Sequence, residues 1–151
     1  MFIYRNQAMQ MCVATALFAA TCSAYAADPA AGVVKNTTGT VSIQRADAMI
    51  PAQVGMVVMA QDKILTGANG SVGIALKDDT LLSAGPSSVI ALDRFAFNAS
   101  TYEGNISLRI LKGTLRAITG LISHQSPGSV AFSTPTATLG IRGTDFIVDV
   151  P

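Results

Sequence analysis

Three stretches constrain the fold more than anything else in the chain. Thr40–Arg45 (TVSIQR), Ser71–Lys77 (SVGIALK) and Asn105–Leu111 (NISLRIL) each alternate apolar and polar residues. Successive side chains of an extended chain point to opposite faces, so each stretch gains one face to bury and one to wet. Between such stretches lie turn residues: Lys77-Asp78-Asp79-Thr80, Gly85-Pro86-Ser87-Ser88, Tyr102-Glu103-Gly104-Asn105 and Ser126-Pro127-Gly128-Ser129. Asp, Asn and Gly accept left-handed backbone angles and Pro presets a turn, which is why they punctuate strands. No stretch long enough for a regular helix carries a helical stripe free of Gly or Pro, so at most a short helical turn is expected. Residues 94–101 (RFAFNAST) alternate poorly and are expected to loop over one end of the sheets. The predicted class is all-β, with short strands in a two-layered roll or sandwich, or in an irregular solenoid.

A weak echo bears on the solenoid alternative. Gly39-Thr-Val-Ser-Ile43, Gly70-Ser-Val-Gly-Ile74, Gly104-Asn-Ile-Ser-Leu108 and Gly128-Ser-Val-Ala-Phe132 share one form: glycine, small polar, β-branched, small, apolar. A strict solenoid keeps a fixed period, and these glycines drift in spacing. Each glycine–polar pair therefore reads either as a turn that opens a strand or as the trace of true repetition.

The N-terminus has a different character. Arg5 is the one charged residue before an apolar run, Met11–Ala20 (MCVATALFAA), and Ala24-Tyr25-Ala26 follows. A positive start, an apolar core too short to span a bilayer and a small-x-small ending describe a secretory signal peptide over residues 1–26, cleaved before Ala27. Both cysteines, Cys12 and Cys22, leave with it, which removes a disulfide framework, a thiolate metal site and a cysteine nucleophile together. Of the 10 Lys and Arg, Arg5 also leaves, so the exported chain balances its 9 Asp and Glu. A neutral chain has no electrostatic footprint for nucleic acid. After cleavage no integral membrane segment is expected. Residues 27–38 (ADPAAGVVKNTT) are small, polar and unpatterned, and are expected as a flexible lead to a β domain over 39–151.

Catalytic groups are scarce. His124 is the only histidine, set in the polar Ser123-His124-Gln125-Ser126-Pro127, where a solvated residue is expected. One His and scattered carboxylates do not make a metal site, and no cofactor is expected. Asp145 and Asp149 point the same way on one alternating stretch. Four residues of strand separate them by ~13 Å at ~3.3 Å per residue, too far for an acid–nucleophile pair. The reading is non-enzyme.

The most informative stretch runs from Thr134 to Val150 (TPTATLGIRGTDFIVDV). Pro135 lacks a backbone donor and should border a strand, with Thr136–Ile141 as that strand. Gly143 breaks the alternation and suggests a bulge. Phe146 and Val148 should plug the core, while Arg142 and Asp145 flank the bend and are expected to pair with each other or with backbone carbonyls. The six residues Pro135, Arg142, Gly143, Thr144, Asp145 and Phe146 are therefore read first as a fold device and second as candidate partner contacts. Alternation continues to Val150-Pro151, which points to a truncated frame or to a strand completed by a partner.

Together, "GTV" from Gly39, "DKILTG" from Asp62 (with Gln61 where glycine is usual), "GSVGIALKDDTLLSAGPSSVIAL" from Gly70, "LKGTLRAITGLI" from Leu111 and above all "TPTATLGIRGTDFIV" resemble a FecR-type domain across residues 39–150. The resemblance implies the periplasmic part of inner-membrane regulators that sense TonB-dependent outer-membrane transporters and control a sigma factor from the cytoplasm. With a cleavable signal and no cytoplasmic segment, this chain is expected to carry the domain without the sigma-factor part. The expected role is that of an exported, non-catalytic binding module of the periplasm or cell surface, taking a protein partner by strand addition at a sheet edge. Two alternatives stand beside it: a regulator of transport signalling, and a carbohydrate-binding or hydrolytic envelope protein. Absence of tryptophan disfavours the last, and two of the tyrosines, Tyr4 and Tyr25, fall in the signal, leaving Tyr102.

Overall fold

The computed structural model of the protein describes residues 30–141 and 144–151. The expected signal peptide, and Arg142 and Gly143, lie outside the described residues. Among the described residues twelve strands follow one another: β1 (Ala30–Thr38), β2 (Val41–Arg45), β3 (Ala48–Pro51), β4 (Val57–Met59), β5 (Lys63–Thr66), β6 (Ser71–Leu76), β7 (Leu81–Ala84), β8 (Val89–Phe97), β9 (Gly104–Ile118), β10 (Val130–Ser133), β11 (Thr138–Gly140) and β12 (Asp145–Val150). A short helix α1 (Leu121–Gln125) and a 3-10 turn (Pro127–Ser129) sit between β9 and β10. The fold is all-β, a curled, mostly antiparallel half-barrel.

β9 is the spine. Its first half pairs β8 on one side and β10, in parallel, on the other; its second half pairs β7 and β12. The bend between the halves falls at Gly113, whose φ is +88°. A Cβ there would strike the Ser88 side chain and backbone, so the bend needs both the left-handed angle and the missing side chain. Ser88 completes the junction: the Thr114 N–H donates to Ser88 Oγ (3.1 Å), and the Ser88 N–H donates to Thr66 Oγ1 (2.8 Å). Curling at β9 folds one half (β4-β1-β6-β7-β9-β12) over the other (β3-β2-β5-β8-β9-β10-β11), and Ile106, Leu108, Ile110, Leu115 and Ala117 on β9 are buried between them. Burying each larger side chain contributes about 1.5–3 kcal/mol before chain entropy is charged.

The expected flexible lead is corrected by the structure. Most of it is β1, which pairs β6 along one edge and β4 along the other and buries Ala31 and Val34 completely. Its register shifts between Ala30 and Gly32 and again between Val34 and Asn36. Two bulges scramble the period-two pattern, which is why the stretch reads as unpatterned. The expected loop at residues 94–101 is corrected for the same reason. Residues 94–97 continue β8, whose register slips between Val89 and Ile90 and between Leu92 and Arg94. The turn itself is confined to residues 98–103. The expected strand over Thr136–Ile141 shortens to β11.

The four echoed glycines open β2, β6, β9 and β10, and those strands have four different sets of neighbours. They are turns that launch strands, not repeats. Gln61 has φ +70°, which accounts for the glycine usual there. Next to it, the buried carboxylate of Asp62 receives a fork from Arg45, Nε to Oδ1 at 2.9 Å and Nη2 to Oδ2 at 2.7 Å, and the Met59 N–H at 2.8 Å. Arg45 Nη2 also donates to the Val57 carbonyl (2.9 Å), so this latch ties β2 to the edge strand β4. The Lys77–Thr80 turn is anchored similarly: Thr80 Oγ1 donates to Asp78 Oδ2 (2.7 Å) and accepts the Gly120 N–H (3.0 Å).

Candidate partner-binding edge

Four described strands pair on one side only: β3, β4, β11 and β12. Three are short or blunted. β3 ends in Pro51, β11 has three residues, and β4 has three residues with the Val57 carbonyl capped by Arg45. Proline and short length are ordinary ways to keep an edge from pairing. β12 has six residues and none of these devices.

The pairing register decides which backbone groups of β12 are free. Asp145 sits opposite Ile118 and Val150 opposite Gly113. One step earlier, the Thr119 N–H donates to the Thr144 carbonyl (2.9 Å). In an antiparallel pair, residues that exchange hydrogen bonds alternate with residues that do not. Thr144, Phe146, Val148 and Val150 therefore bond β9, and Asp145, Ile147 and Asp149 turn their N–H and C=O groups outward. The side chains follow the same parity. Phe146 and Val148 face the core, where Phe146 meets Phe132 of β10 edge to face, 4.9 Å between ring centroids and 83° between planes. Ile147 is 66% exposed, among the most exposed large apolar residues described.

Beside this edge runs a groove of about 330 Å³ lined by Leu139, Gly140, Ile141 and the residues Asp145–Val148. Its inner wall is apolar and its rim carries charge. Arg116 on β9 forms a fork with Asp145, Nε to Oδ1 at 3.0 Å and Nη2 to Oδ2 at 2.6 Å. Hydrogen bonding from the guanidinium lowers the Asp145 pKa from its ordinary value and raises that of Arg116. Asp149 Oδ1 accepts the Thr114 hydroxyl (2.8 Å).

Of the six residues singled out in the sequence, Thr144, Asp145 and Phe146 come together on this edge. Pro135 sits apart in the exposed β10–β11 turn, where the Thr134 N–H donates to the Ala137 carbonyl (2.7 Å). Arg142 and Gly143 fall outside the described residues. The partner expected for Asp145, Arg142, lies outside the described residues; both Asp145 oxygens are held by Arg116. Sequence reasoning missed Arg116, Thr114 and Ile147 as parts of this edge. Thr114 and Arg116 do alternate with buried Leu115 and Ala117, a signal for the wet face of a strand, but nothing local says which strand lies beside them.

His124 is exposed on α1. Among the described residues no group of three or more His, Cys, Asp or Glu is arranged to hold a metal ion. No described helix is long and apolar enough to cross a membrane. In a groove of about 270 Å³ beside Arg45 and Asp62 those two charges already satisfy each other, and it reads as the outside of the latch.

Comparison with known proteins agrees with the motifs quoted above. A family model described as FecR protein matches residues 62–150. No curated protein matches the chain, and no solved structure does. The matched span takes in β5 through β12, and so includes the whole of the candidate edge.

Proposed function

The chain belongs to the FecR family, and from that membership and the open β12 edge we propose that it is an exported, non-catalytic binding module that takes a protein partner by strand addition. The observation that carries this reading is the outward row of Asp145, Ile147 and Asp149 backbone groups, set beside an apolar groove. Strand addition draws affinity from main-chain hydrogen bonds and specificity from pockets for alternate side chains, and this edge offers both. Export is supported by the signal-like residues 1–26, and the envelope is where such a domain would meet its partner. The non-catalytic reading is supported by the exposure of the single histidine and by the scarcity of candidate acids, bases and nucleophiles.

The test is site-specific cross-linking in the producing cell. A photoreactive residue at Ile147 should give a discrete protein adduct, whereas the same residue at exposed Met49 on the β3 edge should not. Adducts from both positions alike, or from Met49 alone, would overturn the assignment of the edge.

Family membership also favours a second reading, that the partner belongs to transport signalling. If so, the adduct at Ile147 should contain an outer-membrane transporter's periplasmic segment, identifiable by mass spectrometry.

A further inference from the structure

We propose that the β12 edge selects an extended partner segment of one chemistry: a Lys or Arg opposite Asp149, an apolar residue opposite Ile147, and aliphatic side chains at the positions between. The inference rests on the strand-addition reading and adds the partner's pattern to it. Residues directly opposite each other in neighbouring strands share a face. A segment laid on β12 would place one set of side chains beside exposed Asp145, Ile147 and Asp149, and the alternate set beside Phe146 and Val148. That second set enters the groove walled by Leu139 and Ile141, which favours aliphatic residues and penalises unpaired polar ones.

The two carboxylates are not equivalent. Both oxygens of Asp145 are held by Arg116. Among the described residues Asp149 accepts only the Thr114 hydroxyl, and the ion pairs are Arg45–Asp62, Arg109–Asp93 and Arg116–Asp145. Asp149 is therefore the carboxylate open to a partner's cation. The same arrangement disfavours a second copy of this chain. Antiparallel self-pairing centred on Ile147 would set each Asp149 opposite the other copy's Asp145, and like charges directly opposite destabilise a strand pair.

The experiment uses the exported chain with two fluorescent peptides, measured by polarisation at low salt. One reads threonine–lysine–valine–valine–valine–threonine; in the other, glutamate replaces lysine. The lysine peptide should bind at least about threefold more tightly than the glutamate peptide. Asp149→Lys should reverse that preference. Ile147→Pro removes an outward N–H without touching a bond to β9, and should abolish binding of both peptides while circular dichroism and Tm stay those of a folded protein. Equal binding of both peptides that is lost in Ile147→Pro overturns the charge selection and leaves the edge reading standing. Binding that survives Ile147→Pro, or no binding of either peptide, overturns both. A concentration-dependent dimer in sedimentation that is lost in Ile147→Pro makes a second copy the occupant and also overturns the proposal.

Discussion

Replacing Gly113 by Ala tests whether the bend of β9 places β12. A non-glycine residue held in the left-handed region costs about 1–2 kcal/mol, and Gly113 has φ +88°. The added Cβ also meets Ser88. Moving the Ser88 side chain aside strains or breaks its bonds with Thr114, donated by the Thr114 N–H (3.1 Å) and accepted by the Thr114 carbonyl (3.3 Å). Each such bond contributes about 0.5–1.5 kcal/mol net. The sum is about 2–5 kcal/mol, or a fall in Tm of about 8–20 °C at roughly 4 °C per kcal/mol for a domain of this size. Gly128→Ala is the internal control, since a Cβ there meets nothing within 4 Å and its φ is not left-handed. Its Tm should stay within about 2 °C of the parent. Thermal unfolding followed by circular dichroism reads both variants. If Gly113→Ala melts with Gly128→Ala, the bend tolerates a side chain and the account of how the two halves curl together is wrong.

Asp62→Ala should cost about 2–3 kcal/mol in chemical denaturation: it unpairs Arg45 and the Met59 N–H, but Arg45 at 37% exposure keeps access to water, which tempers the loss. The Asp145 carboxyl should titrate below its ordinary value by NMR and return to it in Arg116→Gln. Because its folded pKa is depressed, the fork's contribution is present above the ordinary carboxylate pKa and fades as pH falls through the folded value. His124→Ala should change stability by under about 0.5 kcal/mol and leave partner cross-linking from position 147 intact; loss of an activity without loss of fold would reopen an enzymatic role. Protein recovered from the periplasm of a Gram-negative host should begin at Ala27, and an intact Met1 on a membrane-bound species would refute the signal peptide.

Period-two patterning is a property of neighbours in the chain, so the sequence by itself determined that Thr40–Arg45, Ser71–Lys77 and Asn105–Leu111 are strands and which side of each is buried. It also determined the turns at 77–80 and 85–88, the inward aim of Phe146 and Val148, and the outward aim of Asp145 and Asp149. Bulges erased that signal in β1 and in the second half of β8, where one extra residue reverses the facing of everything after it. Register and partnership are not local quantities. That Arg116 grips Asp145, 29 residues away, that β9 serves both halves of the barrel, and that β12 is left as the long open edge follow from which strands the curl at Gly113 brings side by side. The candidate edge was visible in the sequence as an alternating strand. Only the tertiary structure decided which of its backbone groups face a neighbour and which face outward, because that depends on one pairing, Thr144 with Thr119, across a contact no local pattern encodes.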